Sequence, residues 1–176
     1  PYDVSSAKAL AESVSLDGMT AIVLSDYAKG SLEPRSLIQK ARASKIPVVV
    51  DPKGTDFEKY CGATLLTPNR AEFEAVCGSW TNEQDLIDKG LTLIKRLDIE
   101  AILVTRSEQG MTLIVRDGSA HQFATMAREV ADVTGAGDTV IAALAAGLGA
   151  GISLASSAEL ANQAAGIVVS KSGTAM

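Results

Sequence analysis

The sequence predicts an α/β layered fold built around a mainly parallel sheet. Short apolar runs typical of buried strands alternate along the chain with longer segments whose apolar residues recur at helical spacing. Polar residues follow directly after several of these runs, where ligands gather in parallel sheets. A chain of 176 residues can bury a substantial core, so we expect one domain over residues 1–176.

Strands and helices are predicted in an almost regular alternation. Pro34 suits the first turn of a helix, Gly78 ends another, and Asp117-Gly118 is a hairpin turn between two apolar runs. The predicted strands are 20–24, 46–50, 63–66, 101–105, 111–115 and 121–124. The predicted helices are 5–14, 34–44, 69–76, 82–97, 136–148 and 154–170.

Composition excludes several classes of function. The net charge is −5 and no Lys/Arg cluster is present, which argues against nucleic acid or an anionic membrane surface as a partner. The two cysteines, Cys61 and Cys77, lack metal-site spacing and suggest free, buried thiols in a reducing cytoplasm. The uncharged stretch 139–158 has the length of a membrane span, but its glycines and serines favour two interior helices.

A glycine loop before the helix at 136–148 is the most informative motif. Residues 132–138 read Asp-Val-Thr-Gly-Ala-Gly-Asp. Amides in the first turn of a helix lack intrahelical partners and attract anions. The Asp138 carboxylate would repel a phosphate, so its position beside an anion-binding turn needs a reason. A general base that takes the proton of a neighbouring hydroxyl, as in a kinase, would explain that position. A tight turn with a dipole-compensating acid explains the same residues, so the motif alone leaves both interpretations open.

Polar side chains at four predicted strand ends favour the functional interpretation. We expect them to converge with the glycine loop at one edge of the sheet. They are Ser25-Asp26, Asp51-Pro52-Lys53, Thr67-Pro68-Asn69 and Thr105-Arg106.

Several of these stretches resemble the ribokinase-like (phosphofructokinase B) carbohydrate kinases. Residues 132–138 resemble the second signature of that family, and 69–72 match its N-x-x-E motif. Residues 104–110 resemble its nucleotide-side strand and turn, and 162–173 resemble the helix beside the adenine. Further stretches resemble the heptose 7-phosphate kinase branch of the family; they are 25–30, 51–57, 62–69 and 105–111.

The resemblance implies a ribokinase-like fold and ATP-dependent phosphorylation of O1 of D-glycero-β-D-manno-heptose 7-phosphate, a step toward ADP-heptose and the lipopolysaccharide core. Asp138 would be the general base, and the amides of Gly135, Ala136 and Gly137 would form the anion hole. The other implied roles are Asn69 and Glu72 for Mg²⁺ and phosphates, Thr105, Gly110 and Asn162 for the nucleotide, and Asp132 and Thr134 for K⁺. From its charge and position, and independently of the resemblance, Lys53 is predicted to contact a phosphate.

One departure from the family pattern concerns the N-terminal side. Family members begin with early strands, a Gly-Gly motif and a β lid, and nothing in this sequence matches them. We therefore expect the nucleotide-binding part of an incomplete fold without a lid, an exposed sheet edge, and homodimer formation through the lid only in a full-length protein. Three hypotheses remain: a heptose 7-phosphate kinase, a nucleotide-binding module without catalysis, and a kinase for another sugar.

Structural roles compete with several of these assignments. Asn69 and Glu72 have the spacing of a capping box, and Asp51-Pro52 is also a common strand-ending turn. Arg106 is equally consistent with a solvated surface charge. We expect Met111 and Met126 in the core, and Trp80 to pack the loop 78–82 in which it lies.

Overall fold

A six-stranded sheet organises the part of the chain that the computed structural model describes, which comprises residues 9, 11–26, 33–126 and 135–170. The strands lie side by side in chain order. They are β1 (Ile22–Ser25), β2 (Val48–Asp51), β3 (Leu65–Leu66), β4 (Ala101–Thr105), β5 (Met111–Val115) and β6 (Ala120–Phe123).

Both parallel and antiparallel pairs occur in this sheet. The first four strands are parallel, with Val23 opposite Val49 and Leu66 opposite Ile102 in the register. The β5–β6 pair is antiparallel, as the predicted hairpin requires, and the β4–β5 pair, which was not predicted, is antiparallel as well. The predicted strand bounds are correct to within two residues. Among the described residues β1 forms one edge of the sheet, where Val23 is 42% exposed, as expected for a strand that is paired on one side only.

Five helices that lie wholly within the described ranges flank this sheet, each ending within one residue of its prediction. Local signals explain the agreement: Pro34 lies in the first turn of its helix, and Asn69 and Asn82 accept backbone hydrogen bonds as N-caps. Of the helix predicted at 5–14, the structure describes residues 9 and 11–13 as helical. The helices are α1 (Pro34–Ala43), α2 (Arg70–Cys77), α3 (Glu83–Leu97), α4 (Ala136–Gly149) and α5 (Leu154–Val169).

The sheet has an apolar cluster on each face. In β2, Val48 and Val50 belong to the cluster under α1 and α3, whereas Val49 belongs to the cluster under α4 and α5. Successive side chains point to opposite faces, so a strand covered on both sides is a continuous apolar run. This layering confirms the predicted fold class.

Close packing joins α4 to α5. A Cβ on Gly147 would lie 2.5 Å from the Ser157 hydroxyl, so only glycine fits there. The two helices are the interior pair predicted for residues 139–158. No helix in the described ranges has both the length and the apolarity to cross a bilayer.

Two side-chain predictions have different outcomes. Met111 is buried in the α4–α5 cluster, as expected. The prediction for Met126 is wrong, because its side chain is 60% exposed. Met126 follows the outermost strand β6, and a Cβ added to Gly166 of α5 would lie 2.6 Å from the Met126 Cβ. Trp80 packs edge-on against Phe73, with ring centroids 5.7 Å apart, which confirms its loop-packing role.

Candidate active site

A cleft of about 270 Å³ lies where β2, β3 and β4 end and α4 begins. This is the edge at which the polar strand ends were expected to converge. The cleft brings together seven of the predicted site residues, which are Lys53, Asn69, Glu72, Thr105, Gly135, Gly137 and Asp138. Asp51, Thr67 and Val140 complete its lining.

The start of α4 forms one wall of the cleft. Gly135 is the N-cap in a left-handed conformation, with φ of 81°, and no described side chain caps the helix. Its carbonyl accepts hydrogen bonds from both the backbone N–H and the hydroxyl of Thr139, each at 2.9 Å. The amides of Ala136, Gly137 and Asp138 have no intrahelical acceptor in this first turn. A Cβ placed on Gly135 or Gly137 would meet no described atom within 4 Å, so no described residue blocks the approach to these two glycines.

Asp138 lies at the mouth of this turn. Its side chain is exposed, and the residue lines the cleft. Its charge contributes to the raised pKa of Asp51, so the two carboxylates are electrostatically coupled across the cleft. A carboxylate beside open first-turn amides can accept a proton from a group bound between them. Ala136 belongs to the same turn but does not line the cleft.

Lys53 is held between two carboxylates on the opposite wall. Its ammonium lies 2.6 Å from Glu72 Oε1 and 3.3 Å from Asp51 Oδ1. Burial acts to lower the pKa of Lys53, but the hydrogen bonds and charges of Glu72 and Asp51 outweigh it and raise that pKa. Burial raises the pKa of Asp51, Lys53 lowers it, and the charges of Glu72 and Asp138 add to the rise, so the pKa lies above its ordinary value. Among the described residues that line the cleft, one cation thus lies with three carboxylates, those of Asp51, Glu72 and Asp138.

Asn69 and Glu72 form the capping box that the spacing suggested. The Asn69 side chain accepts from the Glu72 amide, and Glu72 Oε2 accepts from the Asn69 amide, both at 2.9 Å. Glu72 Oε1 meanwhile faces Lys53 in the cleft. The capping role and a cleft role are thus compatible, because Glu72 uses a different oxygen for each.

The donors fit a magnesium ion held largely through water and phosphate. Mg²⁺ is commonly bound by one or two carboxylates together with substrate phosphates and waters. Glu72 and Asp51 supply carboxylates, and Asn69 supplies an amide oxygen at the same cleft. Across the ranges that the structure describes, no three His, Cys, Asp or Glu residues form a ready-made metal cage. Asp132 and Thr134 lie outside the described residues.

Three predicted nucleotide contacts lie in different surroundings. Thr105 lines the cleft, and its amide donates to Pro68 O at 3.1 Å, which ties β4 to the segment before α2. Gly110 closes a turn with φ of 80°, where a Cβ would lie 1.9 Å from Phe123 O. Asn162 is buried on α5 and donates to Ala124 O at 2.9 Å. Gly110 and Asn162 do not line the cleft, and their contacts with a nucleotide stay predictions.

Sequence reasoning missed two polar networks near the cleft. Arg106 is not a solvated charge: its side chain is only 10% exposed, and it lies 2.7 Å from Glu83 of α3. Tyr60, in a short turn before β3, donates to Asp26 at 2.6 Å. Val140, which lines the cleft, was also not singled out. Periodicity could have found none of these pairings, because their partners are distant in sequence.

Comparison with known proteins identifies the family. Residues 6–176 match the pfkB family of carbohydrate kinases. The chain belongs to that family. Curated relatives include the bifunctional protein HldE of Shewanella piezotolerans, 55% identical over 177 residues, and that of Aeromonas hydrophila, 61% identical over 154 residues. These alignments cover 99% and 87% of this chain but 37% and 32% of the relatives, so the chain spans about one third of their length.

Solved structures of other sugar kinases share the fold. Arabidopsis thaliana ribokinase complexed with ribose and ATP superposes with a TM-score of 0.74 and 23% identity, over 88% of this chain and 51% of that one. Escherichia coli phosphofructokinase-2 in complex with potassium gives a TM-score of 0.81 and 20% identity, over 96% and 57% of the two chains. The predicted ribokinase-like fold is confirmed.

Proposed function

We propose that this pfkB-family protein transfers the γ-phosphoryl group of ATP to O1 of D-glycero-β-D-manno-heptose 7-phosphate. Family membership and 55–61% identity to bifunctional HldE proteins support a kinase. The heptose assignment is supported by the resemblance of residues 25–30, 51–57, 62–69 and 105–111 to heptose 7-phosphate kinases. The product would feed ADP-heptose and lipopolysaccharide core synthesis in the cytoplasm, where ATP is available.

The observation that carries the proposal is the position of Asp138 beside the open first turn of α4. In the proposed mechanism, Asp138 accepts the proton of the sugar's anomeric hydroxyl, and that oxygen attacks the γ-phosphorus in line. The bond between the γ-phosphorus and the β,γ-bridging oxygen breaks, and ADP leaves with that oxygen. The amides of Gly135, Ala136 and Gly137 donate hydrogen bonds to the phosphoryl oxygens as negative charge develops on them. The open space over Gly135 and Gly137 is consistent with such an approach.

The opposite wall would bind the nucleotide's phosphates. Bound Mg²⁺ would neutralise phosphate charge at Glu72 and Asn69, largely through water. Lys53 would leave its pairing with Glu72 and contact the terminal phosphate. Thr105, Gly110 and Asn162 would belong to the nucleotide side, and Asp132 and Thr134 to a K⁺ site. A homodimer of the full-length protein is part of the same proposal.

An assay of ADP release tests the substrate assignment. The full-length gene product is supplied with Mg²⁺, ATP and, in separate reactions, heptose 7-phosphate, ribose or fructose 6-phosphate. We expect heptose 7-phosphate to give the highest kcat/KM. A higher kcat/KM with another sugar would overturn the heptose assignment while keeping the kinase.

A nucleotide-binding module without catalysis is the second candidate. The chain spans about half of the solved kinases that it superposes on, and β1 is an exposed edge. Calorimetric titration of this chain with Mg·ATP, beside the ADP-release assay on the same chain, separates the candidates. Binding without turnover would favour the module, and heptose-dependent turnover would favour the kinase.

A further inference from the structure

A buried hydrogen-bond network lies beneath the cleft, between the end of β1 and the turn that follows β2. The Tyr60 side chain is fully buried, and its hydroxyl donates to Asp26 Oδ2 at 2.6 Å. The same hydroxyl accepts a hydrogen bond from the backbone N–H of Lys53 at 3.2 Å. One phenol oxygen therefore joins the end of β1 to the turn that carries Lys53.

The surroundings of Tyr60 hold this hydroxyl in one position. Asp26 is buried and also lies 2.6 Å from the Lys59 ammonium, which in turn sits 4.9 Å from the Tyr60 ring centroid. Phe57 packs edge-on against the ring, with centroids 5.9 Å apart. Burial and the hydrogen bond to Asp26 both raise the pKa of Tyr60, so the phenol stays protonated and keeps donating.

The Lys53 side chain needs such an anchor. A lysine has a long, flexible stem, so the direction of its backbone largely determines where its ammonium can reach. Lys53 is fixed at its backbone N–H by Tyr60 and at its ammonium by Glu72 and Asp51. The backbone bond does not compete with a phosphate for the ammonium, and it remains when the ammonium changes partner.

We propose that Tyr60 is a positioning residue that sets Lys53 for contact with the transferring phosphoryl group. This inference rests on the proposed kinase function. The Tyr60 hydroxyl acts through the Lys53 backbone and touches no substrate. Its contribution to turnover therefore exists only while Lys53 carries its ammonium.

A double-mutant cycle on the full-length protein tests the inference. Tyr60→Phe removes the hydroxyl and keeps the ring, and Lys53→Met removes the ammonium and keeps most of the stem. We expect Tyr60→Phe to lower kcat about fivefold to tenfold, with the sugar KM unchanged, because small misplacements of a catalytic group are costly. In the Lys53→Met background the same change should have no further effect.

Thr112→Val is the matched control, because it removes another buried hydroxyl, one that is bonded to Glu83 at 2.8 Å and does not line the cleft. We expect its kcat to stay within about twofold of wild type. A second measurement, hydrogen exchange at the Lys53 backbone amide, uses the wild-type protein and needs no variant. We expect this amide to be protected from exchange by its hydrogen bond to Tyr60. Rapid exchange there would overturn the inference even if Tyr60→Phe failed to fold.

The outcomes separate this inference from the proposed function. Equal losses from Tyr60→Phe in both backgrounds, or no loss in either, would overturn the positioning role. If Asp138→Asn abolishes turnover in the same assay while Tyr60→Phe has no effect, the kinase stands and only this inference fails. If Asp138→Asn retains full turnover, the proposed kinase mechanism is wrong, whatever the effect of Tyr60→Phe.

Discussion

The two ends of the sheet carry similar charged clusters in different surroundings. At the amino ends of the parallel strands, Asp98 lies 2.6 Å from both Arg42 and Arg116, and the three side chains are 40–54% exposed. At the carboxyl ends, Lys53 lies between Glu72 and Asp51, and these side chains are 15–33% exposed. Only the second cluster faces the open first turn of a helix.

This difference shows that burial and free amides, not charge alone, distinguish the candidate site. Exposed ion pairs gain little, because water and salt screen them. The hydrogen bonds from Arg116 and Arg42 simply lower the pKa of Asp98, as expected for an exposed carboxylate with cationic partners. In the cleft, burial raises the pKa of Asp51 despite the nearby lysine. Perturbed pKa values of this kind cluster at functional sites, where a bound ligand can offset the free-energy cost of burying a charged carboxylate.

The largest effect in the comparison should come from Asp138→Asn. Loss of a general base typically lowers the rate by about 10²–10⁴-fold. Because the amide keeps the shape of the turn and removes a negative charge, we expect the affinity for Mg·ATP to be unchanged or slightly higher. ADP release and calorimetry on the full-length protein measure the two quantities. Turnover within a few-fold of wild type would contradict the assignment.

Lys53→Met should have the next largest effect, a loss of about 10²-fold in kcat/KM, the lower end of what one oxyanion-stabilising donor contributes. Arg42→Met at the other end of the sheet is the matched control, and its kcat/KM should stay near wild type. Equal losses of kcat/KM in the two variants would contradict a specific role of Lys53 in phosphoryl transfer.

Substitutions of Asn69 distinguish its role as a helix cap from a role in binding Mg²⁺ and phosphate. Asn69→Ala should lower the free energy of unfolding by about 1 kcal/mol, whereas Asn69→Ser keeps an N-cap and should cost much less. If the amide oxygen also serves Mg²⁺ and phosphate, both variants should require more Mg²⁺ for half-maximal activity. A normal Mg²⁺ requirement in Asn69→Ser, measured beside its thermal unfolding, would leave Asn69 as a cap only.

Asp98→Asn should have the smallest effect, below about 1 kcal/mol and smaller still at high salt. The folded-state pKa of Asp98 lies below its unfolded value. Its contribution to stability is therefore present above the unfolded pKa, near 3.8, and is lost as the pH falls through the lower folded value. Unfolding curves of both proteins should diverge slightly at neutral pH and converge in acid. A difference that grows in acid would contradict this sign.

Local signals account for what the sequence predicted well. Helices begin directly after the N-caps Asn69 and Asn82, and another begins at Pro34, because caps and first-turn residues act within a few positions. The strand ends follow from apolar runs, and their convergence follows from parallel pairing. The site's glycine loop is itself a local motif.

Long-range contacts account for what the sequence did not predict. Lys53 and Glu72 are 19 residues apart, and Tyr60 and Asp26 are 34 apart. Arg106 was open to interpretation as a surface charge, because its partner Glu83 is 23 residues away, on α3. The exposure of Met126 depends on its place beyond the outermost strand, which no periodic pattern indicates.

The central claim is that the first turn of α4 binds a nucleotide's terminal phosphate. Amide chemical shifts of the isotopically labelled chain, recorded with and without Mg²⁺ and a non-hydrolysable ATP analogue, test it most directly. We expect the largest changes at the amides of Gly135, Ala136, Gly137 and Asp138, and none at Asp98 or Arg116. Unchanged amides at 135–138 with saturating analogue, beside changes elsewhere in the chain, would contradict the account.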